Sequence, residues 1–224
     1  ALSVGVASGN REAWHALYHK LQDFCCYVYI PITAAVAMIG TVIIHLVFSR
    51  EVAQLMMFPL ILLSAAQFLL GALYVPSWLS YALNRPDISL RANLWALVVV
   101  VPLTILLTYQ WGIIGAAVSG VLYAVYQSSY FIPRFSAVCL GTGAWEWVRT
   151  TGMFMLLAAA TYGPAWFIAG MVSEGVNIVG LIIAYIVGSL LFAIFGWLIV
   201  GDELKTVFRQ LVAPMIARMK GAAG

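Results

Sequence analysis

Charged residues are scarce in this sequence of 224 residues, where Asp, Glu, Lys and Arg together make up 8%. Soluble domains carry about a quarter of their residues as charged side chains. Hydrophobic residues account for 64% of the chain, and its mean hydropathy is +1.00. This composition excludes a soluble globular protein and indicates a chain that folds in a lipid bilayer.

Residues that carry chemistry are equally few. The three cysteines and three histidines lack metal-ligand spacing, and no glycine-rich phosphate loop occurs. The hydrophobic runs contain no Lys, which excludes a retinal Schiff base, and their acidic residues, Asp23 and Glu174, lie at the edges. Because ion-coupled transporters usually place a carboxylate inside the membrane, we expect no coupling site in this chain alone. No catalytic residue, metal site or cofactor is predicted.

Long hydrophobic runs are what the sequence does contain. About 20 helical residues cross the hydrocarbon core of a bilayer, and none of the runs alternates as a β-barrel strand would. The sequence predicts an all-α polytopic membrane protein with six transmembrane helices, at residues 24–48, 55–79, 92–109, 111–132, 150–170 and 176–200. Outside them it predicts an interfacial helix within residues 1–23, a cytoplasmic loop at 133–149 and an amphipathic cytoplasmic tail at 201–224.

The basic residues orient these predicted helices. Ten of the 11 lysines and arginines fall on one side, and Arg50 falls on the other. Since basic residues concentrate on the cytoplasmic side, both chain ends are predicted to be cytoplasmic. The net charge of +3 follows from this asymmetry. It does not imply a nucleic-acid partner.

The stretch TYQWGIIGAAVSG, residues 108–120, joins two hydrophobic runs without room for a loop. We expect residues 110–112 to form the turn of a helical hairpin on the extracytoplasmic side. Gly112, Ala116 and Gly120 then form a ridge of small residues, which favours close helix packing. The last run repeats this pattern. A substrate path along the small face is the alternative interpretation.

The segment AVSGVLYAV resembles the serine motif of rhomboid intramembrane proteases, which implies Ser119 as a nucleophile. Ala117 stands where that motif has its first glycine, and the last hydrophobic run contains no histidine. His45, on the first run, is the histidine within the predicted spans. Because a serine without a base is a weak nucleophile, packing explains Ser119 better.

A few polar residues remain inside the predicted spans. Hydrogen bonds to neighbouring helices would explain each of them. A cluster of Gln, Asn and Tyr at one cavity would instead suit a substrate rich in hydroxyl groups, such as a sugar, and an arginine at its mouth would suit phosphate. On this hypothesis the substrate-binding residues are Gln67, Arg91, Asn93, Tyr123 and Gln127.

Four motifs occur in the order found in one transporter family. They are the connector SVGVASGNREAWHALYHKLQDF, the run YIPITAAVAMIGTVIIHLVFS, the connector YVPSWLSYALNRPDISLRANL and the hairpin VPLTILLTYQWGIIGAAVSG. With them, residues 1–132 resemble the second half of the polysaccharide-type flippases of the multidrug/oligosaccharidyl-lipid/polysaccharide exporter superfamily.

The resemblance implies two bundles of six helices around a central cavity, sometimes followed by two further helices. Residues 24–132 would be the last four helices of the second bundle, and residues 150–200 the two additional ones. It implies a bacterial inner-membrane protein that moves an oligosaccharide linked to a polyprenyl pyrophosphate between leaflets, with a missing N-terminal half and membrane lipids as partners. A drug/cation antiporter of the same superfamily and a non-transporting membrane subunit are the alternatives.

Overall fold

Helices form throughout the part of the chain that the structure, a computed structural model, describes: residues 11–171 and 178–199, among which no strand occurs. The predicted tail at 201–224 and the first ten residues of the predicted interfacial segment lie outside these residues. In chain order the elements are α1 (Arg11–Val47), α2 (Arg50–Ala72), α3 (Tyr74–Ala82), α4 (Asp87–Phe135), a π-helix (Ser136–Leu140), α5 (Trp145–Met171) and α6 (Ile178–Ile199).

Within residues 11–171 and 178–199, five helices are long and apolar enough to cross a membrane, which fits a multi-pass membrane protein. Large apolar side chains cover their outer surfaces: Leu97 is 65% exposed and Leu156 is 73% exposed. Exposed apolar surface on this scale is unfavourable in water, but in a bilayer the lipid chains cover it. The five segments are His15–Val47, Arg50–Ala82, Asp87–Leu140, Trp145–Ile168 and Ile178–Leu198.

Helix α4 reverses direction at Gly112. The backbone there has φ 58° and ψ −133°, a conformation that glycine adopts readily because it has no Cβ. Asn93 and Gln127 are joined by a hydrogen bond of 2.6 Å, although a straight helix would separate them by about 51 Å. The expected reversal at residues 110–112 is therefore present. We refer to the antiparallel halves as α4a (residues 87–111) and α4b (residues 113–135).

Small residues allow these two halves to approach closely. A Cβ added at Gly115 would overlap the backbone carbonyl of Leu107 on the facing half. Further along the hairpin, Ala92 and Ala124 are buried, with 1% and 0% of their surface exposed. The packing of the hairpin therefore depends on the absence of side chains near its turn.

Helix α1 lies at the centre of the bundle. It packs against α2 on one side and against α5 and α6 on the other, while α2 also packs against α4. Phe154 of α5 and Phe192 of α6 are almost completely buried in this core. Residues from Arg11 onward are the first turns of α1, which continues without a break into the first predicted span. No Gly or Pro interrupts the chain there, and Tyr18 is buried against the Phe135 ring at 5.7 Å.

Local chemistry sets the ends of α2 and α3. Helix α2 begins after Ser49, whose hydroxyl accepts a hydrogen bond from the amide of Val52. Helix α3 ends in a Schellman motif: Asn84 adopts a left-handed conformation (φ 57°), and the Arg85 amide donates to the Ser80 carbonyl at 2.8 Å. Pro86 follows, so the predicted connector is a tight turn that delivers the chain directly into α4a.

Between α2 and α3 a backbone carbonyl joins three helices. Pro76 lies four residues after Ala72 and has no N–H group, so the regular helical hydrogen bond to the Ala72 carbonyl cannot form. Two side chains donate to this oxygen instead: Gln22 Nε2 of α1 at 2.9 Å and Trp147 Nε1 of α5 at 3.3 Å. We call this arrangement the Ala72 junction. It fixes the position at which the α2–α3 segment bends.

Candidate functional site: a polar cleft beside the helical hairpin

A cleft of about 280 Å³ lies between the α2–α3 bend and the two halves of the α4 hairpin. Side chains with hydroxyl or amide groups supply most of its lining, although the surrounding helices are strongly apolar. The polar lining residues are Tyr74, Ser77, Tyr81, Ser89, Asn93, Tyr123 and Gln127, and the apolar ones are Leu70, Leu73 and Phe131. None of these side chains carries a formal charge at neutral pH, so hydrogen bonds are the polar interactions that this cleft can offer.

Helical spacing brings the polar residues to the cleft. Ser89 and Asn93 are four residues apart on α4a, and Tyr123 and Gln127 are four apart on α4b, so each pair lies on one helix face. The reversal at Gly112 then places the two faces opposite each other. The third wall is the α2–α3 segment, which contributes residues from Leu70 to Tyr81.

Gln127 links the two halves of the hairpin. Its Nε2 donates hydrogen bonds to Asn93 Oδ1 at 2.6 Å and to the Tyr123 hydroxyl oxygen at 3.0 Å. Gln127 is 6% exposed, whereas Asn93 lies on the exposed side of α4a. Three of the five residues proposed from the sequence therefore meet in one hydrogen-bonded group.

Gln67 and Arg91, the other two proposed residues, do not line the cleft, and both are exposed. Gln67 precedes Leu70 by three residues, so it lies one turn beyond the cleft on the same stripe of α2. Arg91 is on α4a, two residues before Asn93, and a helix turns by about 200° over two residues. The structure therefore brings neither residue into hydrogen bonding with the Gln127 group.

Sequence reasoning did not include Ser89, Ser77, Tyr74 or Tyr81 among the site residues. Ser89 is 8% exposed, and its hydroxyl has no hydrogen-bond partner in the described part of the chain. The spacing of Tyr74, Ser77 and Tyr81, at intervals of three and four, was a usable signal for one polar helix face. This signal was not used, because Tyr74 and Ser77 fall at the end of the predicted span 55–79 and Tyr81 falls in the connector motif that follows.

A second cavity, of about 480 Å³, lies on the other side of α2, between α1, α2 and α5. Its lining is almost wholly apolar and includes Met38, Phe58, Phe68 and Met155. Ser64, which is buried and without a hydrogen-bond partner among the described residues, also lines it. The two cavities thus differ in chemistry, and only the first presents an array of polar groups.

The residues of the protease hypothesis are not arranged as a catalytic pair. Ser119 Oγ donates a hydrogen bond of 2.7 Å to the Ala116 carbonyl of its own helix, and Ser119 is 3% exposed. His45 Nδ1 is buried without a partner among the described residues. No hydrogen bond joins the two side chains. Among the described residues, no group of three or more His, Cys, Asp or Glu side chains could hold a metal ion.

Comparisons with protein-family models, with curated proteins and with solved structures find no match to this chain.

Proposed function

We propose that this chain is part of a membrane transporter that moves a lipid-linked oligosaccharide across the bilayer, and that the polar cleft contacts the glycan. In this proposal α4a and α4b each cross the membrane, which gives six transmembrane helices with both ends cytoplasmic in a bacterial inner membrane. The distribution of basic residues and the reversal at Gly112 support this topology.

The convergence of Asn93, Tyr123 and Gln127 on one cleft carries the proposal. Amide and hydroxyl groups are costly inside a membrane unless they find partners, so a concentration of them at one place calls for an explanation. Sugars present many hydrogen-bonding groups and no charge, and a neutral polar cleft matches this chemistry. The resemblance to polysaccharide-type flippases supports the same substrate class.

The competing functions find less support in these residues. A non-transporting subunit predicts polar residues scattered around the helices, in contrast to the hydrogen-bonded group in the cleft. A drug/cation antiporter is distinguished by an intramembrane carboxylate in the missing half, and finding one there would favour that alternative. The local hydrogen bond of Ser119 favours a packing role for that residue over nucleophilic catalysis.

A flipping assay tests the proposal. The complete protein is reconstituted in liposomes with a fluorescent lipid-linked oligosaccharide, and a membrane-impermeant quencher measures how much label reaches the outer leaflet. We expect Gln127→Leu to slow flipping at least about tenfold, because it removes both bonds that organise the cleft. Ser128→Ala is the matched control: Ser128 is the next residue along, does not line the cleft, and bonds only to the Ala124 carbonyl.

Flipping by Gln127→Leu at the wild-type rate would contradict a role for the cleft, and the absence of flipping by the wild-type protein would contradict the proposed function. Arg91 is tested in the same assay. If it binds pyrophosphate through paired hydrogen bonds, Arg91→Lys lowers the flipping rate, because Lys cannot reproduce that geometry. If Arg91 only orients the chain, Lys substitutes fully, since the orientation rule counts both residues alike.

A further inference from the structure

The direction of the hydrogen bonds in the cleft is set by Gln127. Its Nε2 carries two hydrogens, and these are donated to Asn93 Oδ1 and to the Tyr123 hydroxyl oxygen. Both oxygens therefore act as acceptors. The remaining hydrogens, on Asn93 Nδ2 and on the Tyr123 hydroxyl, have no acceptor among the described residues.

A third unpaired donor lines the same cleft. Ser89 lies one turn before Asn93 on α4a, and its buried hydroxyl has no hydrogen-bond partner among the described residues. Leaving a buried hydroxyl unpaired costs free energy, which a ligand that accepts its hydrogen would recover. The group also contains two amide oxygens. Asn93 Oδ1 accepts from Gln127, and the other amide oxygen, Gln127 Oε1, is the unpaired acceptor beside these donors.

We infer that the cleft binds the acetamido group of an N-acetylated sugar, an inference that rests on the proposed function and names its substrate class. The carbonyl oxygen of an acetamido group accepts hydrogen bonds only, and its two lone pairs can accept from two of the three unpaired donors. Its N–H donates to Gln127 Oε1. Its methyl group packs against the apolar part of the lining, formed by Leu70, Leu73 and Phe131.

Other sugar substituents match these groups less well. A plain hydroxyl lacks the methyl group that would pack against the apolar part of the lining, and it offers one oxygen where the acetamido group offers a carbonyl oxygen and a separate N–H. A carboxylate accepts well, but burying its charge without a cation is expensive, and no Lys or Arg lines the cleft. The volume of about 280 Å³ is near the lower limit of small-molecule sites, about 300 Å³, so it suits one sugar residue rather than a whole oligosaccharide.

Ligand-observed NMR on the full chain, purified in lipid nanodiscs, tests this assignment. The probes are the methyl glycosides of N-acetylglucosamine, glucose and glucuronic acid. We expect the N-acetylglucosaminide to bind about 3- to 10-fold more tightly than the glucoside. Tyr123→Phe and Ser89→Ala should each lower its affinity about 2- to 10-fold, and should lower that of the glucoside by a smaller factor.

Ser64→Ala is the matched control, because Ser64 is also buried and unpartnered in the described part of the chain but lines the apolar cavity. It should leave all affinities unchanged. Equal binding of the glucoside and the N-acetylglucosaminide would overturn the acetamido assignment while leaving the proposed function in place. Tightest binding of the glucuronide would overturn it in favour of an acidic sugar. If no glycoside binds, both the assignment and the glycan-binding role of the cleft are refuted.

Discussion

Replacing Gly188 by alanine tests how α5 and α6 pack. A Cβ added at Gly188 would lie 2.6 Å from Cδ1 of the Tyr162 ring, whereas carbon atoms in contact are normally about 3.5–4.0 Å apart. The ring would have to move by about 1 Å. It cannot do so easily, because its hydroxyl is hydrogen-bonded to Ser189 at 3.0 Å and it packs against the fully buried Phe192.

The expected magnitude combines two opposing effects. Overpacking of this kind costs about 1–3 kcal/mol. Removing a glycine from a helix interior contributes about 0.5–1 kcal/mol in the other direction. The net destabilisation is about 0–2.5 kcal/mol, which corresponds to a melting temperature lower by up to about 10 °C for a chain of this size. Thermal unfolding in detergent, followed by tryptophan fluorescence or by loss of the monodisperse peak, measures it.

Gly163→Ala is the matched control. Gly163 lies next to Tyr162 on α5, and a Cβ added there has no atom within 4 Å. This variant should be as stable as the wild type or slightly more stable. If Gly188→Ala were equally harmless, the close fit between the Tyr162 ring and α6 would be refuted. A double variant with Tyr162→Ala provides a further check, because the penalty of the added methyl should then disappear.

Three further predictions concern other parts of the fold. Trp147→Phe removes one of the two side-chain donors to the Ala72 carbonyl and should lower the free energy of unfolding by about 0.5–1.5 kcal/mol. Thermal unfolding measures this change, and an unchanged stability would show that the bond contributes nothing. Ser119→Ala should change stability by less than about 0.5 kcal/mol, and a serine-directed covalent probe should not label Ser119; labelling would revive the protease hypothesis. Cysteines introduced at Gln110 and Asp87 should react with impermeant reagents from opposite sides of the membrane, and reaction from the same side would refute the six-helix topology.

Composition and hydrophobic length were sufficient to predict an all-helical membrane protein, because each apolar run had to satisfy its backbone hydrogen bonds internally. The reversal near Gly112 was also predictable, since the chain between residues 109 and 111 offers no loop. The continuity of α1 from Arg11 to Val47 was not predictable from the sequence. The expectation of an interfacial helix within residues 1–23 used only local sequence, whereas Tyr18 packs against Phe135, a residue more than 100 positions away in the chain.

The candidate site was predictable only in part, for a related reason. Polarity alone selected Asn93, Tyr123 and Gln127, but it could not distinguish them from Gln67 and Arg91, which lie outside the cleft. Which residues converge depends on how α4a and α4b face each other, and periodicity within one helix carries no information about its partner. Ser89 is a site residue that the sequence analysis missed. Serine is common in membrane helices, and only the structure shows that the hydroxyl of this one is buried and unpaired.

The Ala72 junction has a consequence for how this protein tolerates mutation. Its acceptor is a backbone oxygen, so no side-chain replacement at position 72 can delete it. The Ala72 junction can be lost only indirectly, by replacing one of its two donors or Pro76. Another residue at position 76 would supply an N–H group, which could then form the regular helical hydrogen bond to the Ala72 carbonyl. The contact between three helices thus depends on position 76, which supplies neither the acceptor nor a donor, and a sequence comparison limited to the hydrogen-bonding residues would not reveal it.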